Sequence, residues 1–173
     1  MDFSIEKSIS VLEKTPVALY ELLFDLPEEW VMLNEGGETW SPYDIVGHLI
    51  HGESTDWINR LEIILSDSTD KKFTPFDRFA QFNESKGKEM NTLLKEFKIL
   101  RTRNIEILKS KNITNEHYER IGIHPFFGTV TLKNLIATWV VHDLNHLAQI
   151  SRVMAHQFRS GVGPWKEYLR ILK

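Results

Sequence analysis

A chain of 173 residues with 42% apolar and 26% charged side chains can close one hydrophobic core and keep a solvated surface, so residues 1–173 read as a single domain. A net charge of −3, with no run of Lys or Arg longer than two, argues against the basic face that a nucleic-acid binder needs. The absence of cysteine excludes disulfides, thiolate metal sites, Fe–S clusters and a protein thiol nucleophile, so any metal must be held by His, Asp or Glu.

The first residues, Met1-Asp2-Phe3-Ser4-Ile5-Glu6, show neither the basic nor the apolar region of a signal peptide. No apolar stretch reaches the ~18 residues of a membrane helix, so the expected location is cytoplasmic, away from membranes. Residues 4–25 carry apolar positions at helical spacing, interrupted at Thr15-Pro16, which predicts a short helix, a break, and a second helix capped by Thr15 and ended by Pro27. Ser41, Pro42 and Asp44 form a strong helix start, and the helix is expected to run to about Ser66. Residues 67–80 read as a loop. Leu93, Leu94, Phe97, Leu100, Ile105 and Leu108 then mark one side of a helix ending near Ser110.

Residues 112–130 hold Gly122, Pro125 and Gly128 and no sustained period, which predicts an ordered crossing loop or a short hairpin. Thr131 caps a helix to about Phe158, with Leu132, Leu135, Ile136, Trp139, Ile150, Val153 and Met154 in one stripe. Gly161-Val162-Gly163-Pro164 stops it. The tail is expected to be one helical turn packed on the bundle so that Trp165, Tyr168 and Leu169 are covered. Four long helices without a convincing strand pair predict an all-α four-helix bundle.

Residues 142–146 read His-Asp-Leu-Asn-His, and the four-residue spacing puts both imidazoles on one helix face. Such a pair arises by chance roughly one time in five in a chain with this many histidines. Its phase says more: with Leu132 at zero, His142 and His146 fall at about −80° and −40°, on the edge of the core-facing stripe. The pair resembles the zinc-protease pattern, with Asp143 in place of the glutamate, but Gln149 and Arg152 occupy positions where one branch of those enzymes has Gly and a third His. A third ligand must come from elsewhere: His48 and His51 on the capped second helix are the candidates, with His117 and His124 in the connection behind them, and the helical wheel does not choose between the first two. Glu53 falls within the apolar arc of Val46, Trp57, Leu61 and Ile64, where a carboxylate needs a partner, either behind a metal ligand or across the bundle.

Taken in order, Trp40-Ser41-Pro42, Gly47-His48-Leu49, His124-Pro125-Phe126-Phe127-Gly128, the helix from Thr131-Leu132 through Trp139 to Gln149, and Val162-Gly163-Pro164-Trp165 resemble the DinB-like superfamily of damage-inducible, metal-dependent four-helix proteins. The resemblance runs over nearly the whole chain and implies an up-down-down-up bundle. It carries the metal triad to His48, His142 and His146, implies a divalent ion, most often zinc or nickel, with open coordination positions, and implies a homodimer. It assigns no role to His51, which is expected to be solvated or cap-like.

An open three-His site is catalytic in type, because a structural site is normally closed by a fourth protein ligand. The resemblance points to metal-dependent hydrolysis of a small-molecule substrate or to transfer of a low-molecular-weight thiol. A non-catalytic, stress-related metal or small-ligand binding module is the alternative. Candidate catalytic residues are Asp143 and Gln149, which can orient the imidazoles or touch a ligand, and Arg101, the one cation of the third helix expected to point inward as an anion clamp.

Overall fold

The computed structural model describes residues 2–173. The main elements are α1 (Ile5–Leu12), α2 (Thr15–Leu23), α3 (Glu28–Met32), α4 (Pro42–Thr55), α5 (Trp57–Leu65), α6 (Gln81–Glu84), α7 (Met90–Ser110), β1 (Ile121–His124), β2 (Gly128–Thr131) and α8 (Leu132–His156). They form a four-helix bundle whose first rod is α1 with α2, the second α4 with α5, the third α7 and the fourth α8.

Side-chain pairing gives the direction of each rod. Glu13 meets Lys109 and Asp25 meets Asn91, so the first and third rods are antiparallel. Tyr43 bonds the Lys88 carbonyl while Glu62 meets Lys111, so the second and third run the same way. Glu53 meets Trp139 while His48 meets His142, so the fourth opposes the second. The order is up-down-down-up, and the parallel middle pair explains the long connection between α5 and α7.

The predicted start of α4 is a complete capping box: the Asp44 amide donates to Ser41 Oγ at 3.2 Å, and Asp44 Oδ2 accepts from the Ser41 amide at 2.9 Å. The expected continuous helix to Ser66 instead bends at Asp56 (φ −113°, ψ −71°), where the Trp57 indole folds over Gly52. Hydrogen bonds from Asp56 to Gly52 and from Arg60 to Asp56 carry the ladder through the bend. Gly47 is required by the close approach of α6: a Cβ there would stand 2.3 Å from Ser85 Oγ.

Three expectations are corrected. Thr15 does not cap α2; its hydroxyl donates back to the Val11 carbonyl, and Lys14 precedes the helix without a side-chain cap. Pro27 does not end α2, which stops at Leu23, but stands at the start of α3. The tail forms two 3-10 turns that bury Leu172 and leave Trp165 and Tyr168 72% and 85% exposed.

The 112–130 connection is the hairpin alternative. β1 and β2 pair antiparallel with His124 opposite Gly128, and Gly128, at φ 70°, supplies the left-handed residue that closes the three-residue loop. Reciprocal backbone bonds between Lys71-Lys72-Phe73 and Ile123 pin the crossing loop to this hairpin.

The core divides into two apolar clusters, one around Trp57, Leu61, Ile136 and Trp139, the other around Leu19, Leu49, Leu94 and Phe97. Arg101 lies between them, 1% exposed, with its guanidinium 5.0 Å from the Phe97 ring centre and 5.2 Å from that of Trp139. It donates to Glu53 Oε1 at 2.8 Å, to both Asp143 oxygens at 2.5 and 3.0 Å, and to the Leu12 carbonyl at 2.9 Å. Asn104 and Trp139 complete the Glu53 shell. Burial opposes the charge of Arg101, but Glu53 and Asp143 outweigh it and hold its pKa above the ordinary value. Replacing Arg101 by Ala leaves two buried carboxylates without their cation and should lower unfolding stability by about 3–5 kcal/mol, measured by urea denaturation; a loss below about 1 kcal/mol would contradict this role.

Candidate metal centre

His48 reaches the site from the middle of α4, and His142 and His146 from successive turns of α8, because Glu53 and Asp143 are drawn to the same guanidinium. The His142 Nε2 lies 3.2 Å from His48 Nε2 and 3.1 Å from His146 Nε2, and the three potential ligand atoms lie within 4.8 Å of one another. Two ligands around a tetrahedral ion with metal–nitrogen bonds of about 2.0–2.1 Å stand about 3.3 Å apart, so these spacings fit a single cation. Protein hydrogen bonding alone fits less well. A neutral imidazole nitrogen either donates once or accepts through one lone pair, yet His142 Nε2 faces two partners.

The electrostatics agree with this fit. Burial, then the neighbouring histidines, push His48 and His142 down to about 3, and burial lowers His146 despite opposing effects of Gln149 and Asp143. All three are therefore neutral near pH 7, the state that binds a metal. Gln149 Oε1 lies 2.8 Å from His146 Nδ1 and can hold the proton there, leaving Nε2 free as a ligand. Among the described residues no carboxylate joins the three ligand atoms.

The histidines line an open cavity of about 670 Å³. Trp40, Trp57, Phe76 and Phe126 supply apolar wall, and Asp56, Arg60, Arg78 and Gln149 supply polar groups. Of the expected catalytic candidates, only Gln149 reaches this space. Arg101 and Asp143 are not an anion clamp and a ligand contact: both are sealed in the core, paired with each other. His51 is neither solvated nor a cap but buried, with Nδ1 2.9 Å from Glu84 Oε2. His117 Nδ1 accepts from the Thr114 amide, away from the cluster, whereas His124 accepts from two amides of the hairpin turn and lines the cavity.

Asp56 and Arg60 were not singled out from the sequence. The available signal was phase: Asp56 follows Leu49 by seven residues, two turns along the same face. Asp56 is buried, 7% exposed, and its Oδ1 stands 2.7 Å from Arg60 Nε in an ion pair.

Fold and geometry together define a four-helix bundle carrying a three-histidine cluster at the floor of a cavity. Residues 12–150 match the DinB superfamily model, and the chain belongs to that superfamily. Its fold is similar to that of YfiT from Bacillus subtilis, described as a probable metal-dependent hydrolase with an unusual four-helix bundle topology: the TM-score is 0.74 at 22% identity, over 92% of this chain and 91% of that one. No curated protein matches the sequence. Among the described residues no helix is long and apolar enough to cross a membrane.

Because folding depresses the pKa of His48 and His142 from about 6.5, the unfolded chain takes up protons that the folded chain refuses as pH falls. Their contribution is complete above about pH 6.5 and is lost toward pH 3. In metal-free protein, stability should fall between about pH 6.5 and 5, and replacing both residues by Ala should make that slope shallower. Equal slopes in denaturation series at several pH values would contradict the assignment.

Proposed function

We propose that this protein is a metal-dependent hydrolase that uses zinc or nickel held by His48, His142 and His146 to act on a small-molecule substrate. The observation that carries the reading is the convergence of three neutral imidazoles, two buried and one half-buried, on one point of an open cavity, with no fourth protein ligand beside them among the described residues. A divalent cation bound there supplies Lewis-acid polarisation of a carbonyl or of an attacking water. The chain's own residues supply the rest. Gln149 orients His146, burial keeps the imidazoles unprotonated, and the aromatic walls receive the apolar part of a substrate.

Elemental analysis of purified protein should find one zinc or nickel per chain, and each of H48A, H142A and H146A should lose most of it. Gln149→Ala should retain the stoichiometry but bind zinc about 10–100-fold more weakly. Undiminished metal in H48A would overturn the ligand set. Metal-loaded protein should hydrolyse p-nitrophenyl acetate without added thiol. Turnover that requires a low-molecular-weight thiol would assign S-transfer instead, and a fully loaded protein inert in both assays would assign a binding module.

We also propose that two copies associate, supported by Phe126, Phe127, Trp165 and Tyr168, which stand largely exposed. Light scattering should then give twice the chain mass; a monomer at assay concentration would contradict it.

A further inference from the structure

The cavity holds one buried carboxylate that the ligand set does not use. Asp56 sits at the bend between α4 and α5, where its φ of −113° departs from the regular helix on either side. Arg60, one turn further on, forms an ion pair with this carboxylate, its Nε standing 2.7 Å from Oδ1 without the alignment of a hydrogen bond. Both residues line the cavity whose floor is the three-histidine cluster, and Arg60 is backed by the Phe73 ring at 5.1 Å. A buried carboxylate held in a cleft by a single ion pair, with its hydrogen-bonding capacity unspent, is arranged to exchange a proton with whatever occupies that cleft.

We propose that Asp56 is the proton acceptor of this cavity, taking a proton from a water that attacks a substrate seated at the three-histidine centre, with Arg60 as the positioning residue that aims its carboxylate. The assignment rests on the hydrolase reading. An O–H bond of the water breaks and its proton passes to Asp56 Oδ2. The freed electron pair forms the new bond to the carbonyl carbon of the substrate as the C=O π pair moves onto the oxygen, from which it returns when the leaving group is expelled. The bond from that carbon to the leaving group then breaks, and the leaving group departs with the proton from Asp56, returning the carboxylate to its starting state.

The surroundings suit this cycle. Burial raises the Asp56 pKa to about 6, against the opposing charges of Arg60 on its own helix and His51 on α4. The other charged or titratable groups facing the same cavity are the three histidines, His124 on the hairpin, Arg78 on the crossing loop, Glu38 before α4, and Arg152 on α8, itself tied to Glu35. A group titrating near 6 is ionised at neutral pH, ready to accept, and acidic enough once protonated to release the proton.

The test uses cobalt-loaded protein, whose visible absorption reports the open side of the metal, titrated between about pH 5 and 9. The wild-type chain should show a step near pH 6. D56N should abolish that step while keeping one cobalt per chain, and R60Q, which removes the cation opposing burial, should move it up by about one unit. Identical titrations in the wild type and D56N would overturn the proposal and leave the metal reading standing. If D56N fails to fold, R60Q decides: an unmoved step overturns the proposal. A wild-type chain that takes up no cobalt would overturn the metal reading and this assignment with it.

Discussion

A guanidinium buried between two carboxylates ties all four rods together at one depth in this bundle. Arg101 on α7 binds Glu53 on α4 and Asp143 on α8, and its remaining bond runs to the end of α1. The desolvation of such a group is tolerable only when its partners are nearly all in place, so the helices have few alternative registers. The network also fills the seam between the two apolar clusters, where Phe97 and Trp139 stack against the guanidinium.

The histidine cluster follows from that register. Glu53 lies five residues beyond His48, and Asp143 is the immediate neighbour of His142. Holding both carboxylates to one cation brings His48 opposite the α8 pair. Along α8 the two roles then alternate around the helix: Asp143 turns into the core, while His142 and His146 turn to the cavity. Charge that stabilises the bundle is thereby kept apart from groups that must stay neutral to hold a cation. The bend at Asp56 brings Gly52, Asp56, Trp57 and Arg60 to the other wall of the same space.

Much of this was legible in the sequence because it depends on local rules. Ser41-Pro42 with Asp44, and Thr131 with Asn134, are caps that act within one turn, and both form. The inward phase of His142 and His146 is a property of a single helix. The choice of His48 over His51 was not local: only family resemblance separated them, since both prove buried and differ in what they face. Arg101 and Asp143 read from the sequence as polar groups near the site, but their pairing depends on tertiary geometry that periodicity does not carry. Asp56 was hidden for a related reason. Its importance comes from a bend and a cavity built by residues far apart in the chain, including the β1–β2 hairpin and the crossing loop.

The central claim is that three imidazoles, and no other protein group, hold one divalent ion. X-ray absorption at the zinc edge of the zinc-loaded protein tests it most directly. The account predicts three imidazole nitrogens at about 2.0–2.1 Å, completed by oxygen from solvent. A shell with fewer than three imidazoles, or one closed by a protein carboxylate, would contradict it.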